Sequence, residues 1–307
     1  MDTDLDTLAT ALYVTTDDLL CAHPERVPRR PKIGIMPRTS DAEMLTLAVM
    51  QALLGYTNET QWLRYARKNL LVMFPNLPLQ SGYNKRLRKL ATTMSWLIAE
   101  LGRQTTVADD GVWVVDSTPV ECARSRETVK RSDLAGWAEY GYCASHSRFF
   151  WGLRLHLVCT LHGLPVGWAL TGAKADEREV LQAILAATPD LARPARQGRR
   201  QVVIADKAYY GRAFEAGLDE AGIDLLRKAR KGEKRRAGGE FFKPLRQVIE
   251  SINATLKTQL DIERHRGKTI EGVCTRIAQR VLALTAAIWH NDTLGLTVRR
   301  SLTAYDH

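Results

Sequence analysis

Val112-Trp113-Val114-Val115-Asp116-Ser117 is an apolar run that stops on a carboxylate, and its reading decides the fold. Val202-Val203-Ile204-Ala205-Asp206-Lys207 repeats the pattern further along. Short β-branched runs bounded by turn formers read as buried strands. A carboxylate at the C-terminal end of such a strand is held rigidly at the sheet edge, where open α/β sheets place ligands. Taken singly, each Asp is more often a strand-terminating turn former than a catalytic group. Two of them, followed by a third acid on a helix, make a set with chemical meaning.

Working outward, 149–160 and 164–172 are rich in Trp, Leu, Val and Phe, and the turn Leu161-His162-Gly163-Leu164-Pro165 between them predicts a hairpin. Residues 176–187 and 211–221 read as helices, 223–226 as a short strand, and 241–260 and 270–290 as helices. Strands mixed with helices, opening with a hairpin, predict an α/β layer with a mixed sheet. Residues 1–105 read as helical. Ser40 and Glu43 form a capping box ahead of a helix over 41–56. Tyr83, Leu87, Leu90, Met94, Leu97 and Leu101 make one apolar stripe over 81–102, with Lys85, Arg86, Arg88 and Lys89 on its other face. That basic face suits either DNA binding or simple solvation. The expected division is 1–105 helical, 106–295 catalytic and 296–307 a tail.

The third acid is Glu250. Leu245, Ile249, Ile252, Leu256 and Leu260 predict a buried stripe, and Arg246, Glu250, Asn253 and Lys257 follow on the adjacent face at helical spacing. Read alone, this is a row of exposed ion pairs worth about 0.2–0.5 kcal/mol each. Read with Asp116 and Asp206, it is a carboxylate flanked by cations that suit phosphates. Three such acids fit a site for two divalent ions, and all-oxygen ligands select Mg²⁺, with Mn²⁺ able to substitute.

The rest of the composition agrees. The 307 residues carry a net charge of +10, which favours a polyanionic partner such as DNA. Arg193, Arg196, Arg199 and Arg200 precede the Asp206 strand, and 227–236, with seven basic side chains and one acid, lies between the second and third acids. Arg230 and Lys231 in that run are candidate phosphate contacts. Five cysteines without a C-x-x-C pair argue against a disulfide framework or zinc ribbon and for a reducing interior. His146, His156 and His162 lack zinc spacing. Apolar runs are broken well before about 18 residues, so no membrane partner is expected.

The order Asp116, Asp206, Glu250, closing on an R-x-x-x-E-x-x-x-x-x-x-K helix, resembles the DDE-class insertion-sequence transposases, whose catalytic core is ribonuclease-H-like. Asp116-Ser117-Thr118-Pro119-Val120 resembles their first-strand motif, and Gly141-Tyr142 through Phe150-Trp151-Gly152-Leu153-Arg154-Leu155-His156-Leu157 their hairpin. Asp206-Lys207-Ala208-Tyr209 resembles their D-K-G-Y element. The likeness covers roughly 110–290 and is nearest to insertion-sequence family 982. It departs at Ala208, where the motif has Gly, and at Lys243, where related families often carry Tyr.

The resemblance implies a ribonuclease-H-like mixed sheet flanked by helices, with Asp116, Asp206 and Glu250 as metal-binding catalytic acids. It implies DNA contacts from Arg246, Lys257, Lys207, Tyr209 and Asn253. The expected reaction is strand cleavage at the element's terminal inverted repeats, then transfer of the 3′-hydroxyl into target DNA. A homodimer on paired ends would do this in a bacterial cytoplasm, at the nucleoid. A simple endonuclease of the same fold, or a non-catalytic DNA-binding descendant, are the alternatives.

Overall fold

The computed structural model describes residues 3–29, 36–143, 147–188, 200–234, 236, 242–297 and 302. Arg193, Arg196, Arg199, His146 and most of the 296–307 tail lie outside them. The chain forms two compact units, one of residues 1–104 with 255–307 and one of residues 105–254.

The second unit holds the sheet. Its strands are β1 (Val112–Ala123), β2 (Glu139–Cys143), β3 (Arg148–Thr160), β4 (Pro165–Gly172), β5 (Gln201–Ala205) and β6 (Ile223–Arg227). β3 runs antiparallel to β1, and its other edge is shared by β2 and β4. β5 is parallel to β1, and β6 to β5. This mixed sheet, antiparallel at one side and parallel at the other, has the ribonuclease-H-like arrangement. Helices α7 (Glu177–Ala187) and α8 (Arg212–Glu220) cover one face. Their Val180, Leu181, Ile184, Phe214 and Leu218 pack on Trp113, Val115, Val158, Val203 and Ala205. Short α6 (Arg126–Lys130) follows β1, and α9 (Phe242–Ala254) lies against β1.

β1 runs well past Ser117, where the apolar run stops. Pro119 is tolerated there because β5 pairs only with Val112 to Val114, so the later part of β1 has a partner strand on one flank alone among the described residues.

The first unit is helical: α1 (Thr3–Ala22), α2 (Asp41–Leu53), α3 (Glu59–Asn69), α4 (Gln80–Lys89), α5 (Ala91–Arg103) and α10 (Ile270–Thr293). The Ser40/Glu43 capping box starts α2. The single helix expected over 81–102 is broken at Leu90 into α4 and α5. The halves serve different partners: α4 packs on α2 and α3, while α5 packs chiefly on α10. α10 itself belongs with these helices rather than with the sheet. An unbroken buried stretch from Thr275 to His290 makes it the central helix of this unit, which differs from the boundaries at 105/106 and 295/296. No helix among the described residues is long and apolar enough to cross a membrane.

Candidate active site

Register brings the two aspartates together. Along the parallel ladder Val112 pairs with Val202, Trp113 with Val203 and Val114 with Ile204. Extending that register two residues, just past the end of β5 at Ala205, sets Asp206 level with Asp116, and the Asp206 charge acts on the Asp116 carboxyl. Asp116 is not at a strand end, since β1 continues to Ala123. It sits just past the point where β5 turns away, and that local end of the parallel pairing opens the sheet beside it. Val115 packs under α7 and α8, so alternation turns Asp116 to the opposite face, the side taken by α9.

The partly buried Asp116 carboxylate accepts from Ser117 N at 2.8 Å and from Asn253 Nδ2 at 2.9 Å. Burial pushes this acid up to about 6, and the charges of Glu177 and Asp206 push the same way, against those two hydrogen bonds. Asp206 is exposed and accepts from Lys207 N, and a turn closes from Tyr209 N to Asp206 O at 3.1 Å.

Asn253 ties α9 to Asp116. Glu250 lies three residues earlier on the same helix face, about 4.5 Å back along the axis, and is exposed. Among the described residues, no three or more His, Cys, Asp or Glu side chains are grouped to hold a metal. What the Asp116 carboxylate offers suits a hard cation: oxygen donors, with the Glu177 and Asp206 charges acting on it. Arg246 lies in α9, and its side chain is outside the described ones.

Three expectations need correction. Tyr209 is 1% exposed in the core under the sheet and offers DNA no surface. Its hydroxyl has no hydrogen-bond partner among the described residues, and burial, with the Glu177, Asp116 and Asp206 carboxylates, holds its phenol far above the ordinary range. The helix expected over 241–260 ends at Ala254, and 255–259 is a π turn. A π turn rotates the chain relative to α-helical spacing, so Lys257 does not continue the Glu250–Asn253 face. Finally, two of the seven basic residues of the run 227–236 are held in ion pairs rather than free for phosphates. Arg227 is buried and binds Glu215 at 2.7 Å and Glu233 at 2.8 Å, while Arg236 binds Glu215 at 2.9 Å. Arg230 lies 3.6 Å over the Tyr210 ring, and Lys231 is exposed.

A second network lies on the α7 face. Ser117 Oγ donates to Glu177 Oε1 at 2.5 Å, Arg154 Nη1 donates to Ser117 Oγ at 2.9 Å, and Arg154 and Glu177 pair at 3.6 Å. Arg154 also donates to the Tyr142 and Ala173 carbonyls. Read from the sequence, Arg154 is only one residue of the hairpin motif Phe150–Leu157. The available signal is an Arg in an otherwise apolar strand, Leu153-Arg154-Leu155, a placement that requires partners.

A family described as a transposase DDE domain matches residues 108–286. Comparison with curated proteins finds no match. Among solved structures, the piggyBac transposase synaptic complex with hairpin DNA is 7% identical, with 95% of this chain and 80% of that one covered and a TM-score of 0.38. The Mos1 transposase paired-end complex with left transposon end is 14% identical, covers 78% of each chain and has a TM-score of 0.25. At these scores neither likeness locates individual residues. The family match spans more than half of the sequence and includes β1, β5 and α9, and on that match the chain belongs to the DDE transposase domain family.

Proposed function

We propose that this transposase cuts a DNA strand at the ends of an insertion sequence and transfers the freed 3′-hydroxyl to target DNA. Asp116, Asp206 and Glu250 are its catalytic acids. The observation that carries the reading is the levelling of Asp116 with Asp206 at the open end of the parallel pairing, with α9 tied there by Asn253. Two divalent ions, Mg²⁺ or Mn²⁺, would be held by these acids and supply charge neutralisation at the attacking and leaving oxygens. Asp116 must be ionised for this, and the Ser117 and Asn253 donors fix its orientation. Lys207, Arg230 and Lys231 are the cations proposed to meet phosphates, and Arg246 of α9 extends the contacts along the DNA. The element's terminal inverted repeats and the target are the DNA partners. A homodimer on paired ends follows from the need to join both ends in one event. Work at the nucleoid of a bacterial cytoplasm follows from the substrate, and kinship with insertion-sequence family 982 from the motif spacing.

Asp116→Asn, Asp206→Asn and Glu250→Gln should each abolish Mg²⁺-dependent nicking of an end-containing fragment while end binding persists. Normal cutting by any one of them removes that residue from the site. Precut ends separate the activities, since a plain endonuclease gives no joined product. The exposure of Glu250 outside any three-acid group favours one second reading, a DNA-binding descendant that does not cut. Tight binding without nicking in Mg²⁺ or Mn²⁺ would establish it.

A further inference from the structure

The first unit contains a cleft of about 470 Å³ in which helix starts and cations converge. α3 begins there at Asn58, α4 at Gln80 and α10 at Thr269, and Arg88, Arg266 and Lys268 line the same space. Glu59 is the one acid among the lining residues, and its charge is already engaged. It accepts from Gln80 Nε2 at 2.6 Å, from Asn84 Nδ2 at 2.7 Å and from buried Arg276. Arg88, Arg266 and Lys268 have no acidic partner among the described residues.

The cationic rim is built, not loose. Arg266 has φ 58°, a backbone region that a non-glycine residue occupies only when its surroundings enforce it. Gly267 enforces it: a Cβ there would stand 2.7 Å from Val273 N, so the loop is pressed onto the first turn of α10. Gly267 N donates to His265 Nδ1 at 3.0 Å, and Thr269 Oγ1 accepts from Gly272 N at 3.2 Å. The N-cap residue of α4, Leu79, offers its first turn no side-chain acceptor, so the N–H groups of that helix start carry no cap. The lining includes no aromatic residue and Leu87 as its one large apolar side chain. A site without a stacking platform suits a phosphate, not a base.

We propose that this cleft grips the phosphodiester backbone of DNA, with Arg88, Arg266 and Lys268 as the neutralising side chains. The inference rests on the DNA-processing function above but not on its catalytic acids. Each neutralised phosphate contributes about 0.9 to the slope of log affinity against log salt. With the full-length protein and a fluorescent random-sequence duplex between about 50 and 200 mM NaCl, the variant R88A/R266A/K268A should lower that slope by about 2–3. The charge-conserving variant R88K/R266K/K268R should keep it. A parent-like slope in the alanine variant, or equal losses in both, overturns the proposal. So does inorganic phosphate binding that R88A/R266A/K268A abolishes while the DNA slope stays unchanged, because the cleft would then serve a free anion. Normal cutting by Asp116→Asn would sink the assigned catalytic acid and leave the cleft to be judged by the slope alone.

Discussion

Asp116 carries opposing demands in a single carboxylate. In its proposed role it must be charged to hold a cation, yet burial and the neighbouring Glu177 and Asp206 charges disfavour that state and push it up to about 6. An ordinary Asp titrates near about 4, so the folded protein holds this proton more tightly than the unfolded chain. The resulting destabilisation is absent below about pH 4, grows between about 4 and 6 and is complete above about 6. Without divalent ions, Asp116→Asn should therefore stabilise the protein above about pH 6 by about 1–2 kcal/mol and leave it unchanged near about pH 3. Denaturant melts at the two pH values check this, and an equal effect at both would refute it. Tyr209 gives the complementary case. Its hydroxyl is buried with no partner among the described residues, so Tyr209→Phe removes an unsatisfied group and should stabilise by about 1 kcal/mol without changing DNA affinity. A loss of affinity specific to DNA would restore it to the interface.

At the scale of elements, β1 sets the site: β5 pairs along its start and β3 along nearly its whole length. The contact of β1 with β3 is tightest at Gly152, where a Cβ would fall 2.1 Å from the Val120 carbonyl oxygen. Gly152→Ala must spread the two strands beside a register shift between Glu121 and Ala123, and should cost about 3 kcal/mol, read from the shift in urea midpoint. A change below about 1 kcal/mol would mean that the strands part easily there. The Arg154–Ser117–Glu177 network braces the same strands against α7.

For the whole molecule, the first unit is discontinuous in sequence. α10 is buried from Thr275 to His290 and carries Arg276 and Gln279 into a polar network with Gln51, Tyr83 and Glu59. A fragment of residues 1–104 lacks the helix its apolar faces are made for, and should be helical by far-ultraviolet dichroism but unfold without cooperativity. A sharp thermal transition would contradict this. Within the intact chain, Glu59→Ala leaves the Arg276 charge buried without its acid and should cost about 3–5 kcal/mol.

The sequence alone determined most of the elements and the residues proposed to carry the chemistry. Apolar runs ending in Asp, the hairpin over 149–172, the capping box at Ser40 and the acid on an amphipathic helix are local patterns, and local patterns survive without knowledge of partners. Tertiary structure decided what stands beside what. The level pairing of Asp116 with Asp206 is a matter of strand register, which no single segment encodes. The bond from Asn253 to Asp116, the burial of Tyr209 and the Glu177 brace all depend on which helix covers which face. In sequence α10 reads as a further helix of the sheet unit because it follows α9, but its apolar surface fits the helices at the other end of the chain. Hydrophobic burial is non-directional along the chain, so adjacency in sequence did not say where that helix would pack.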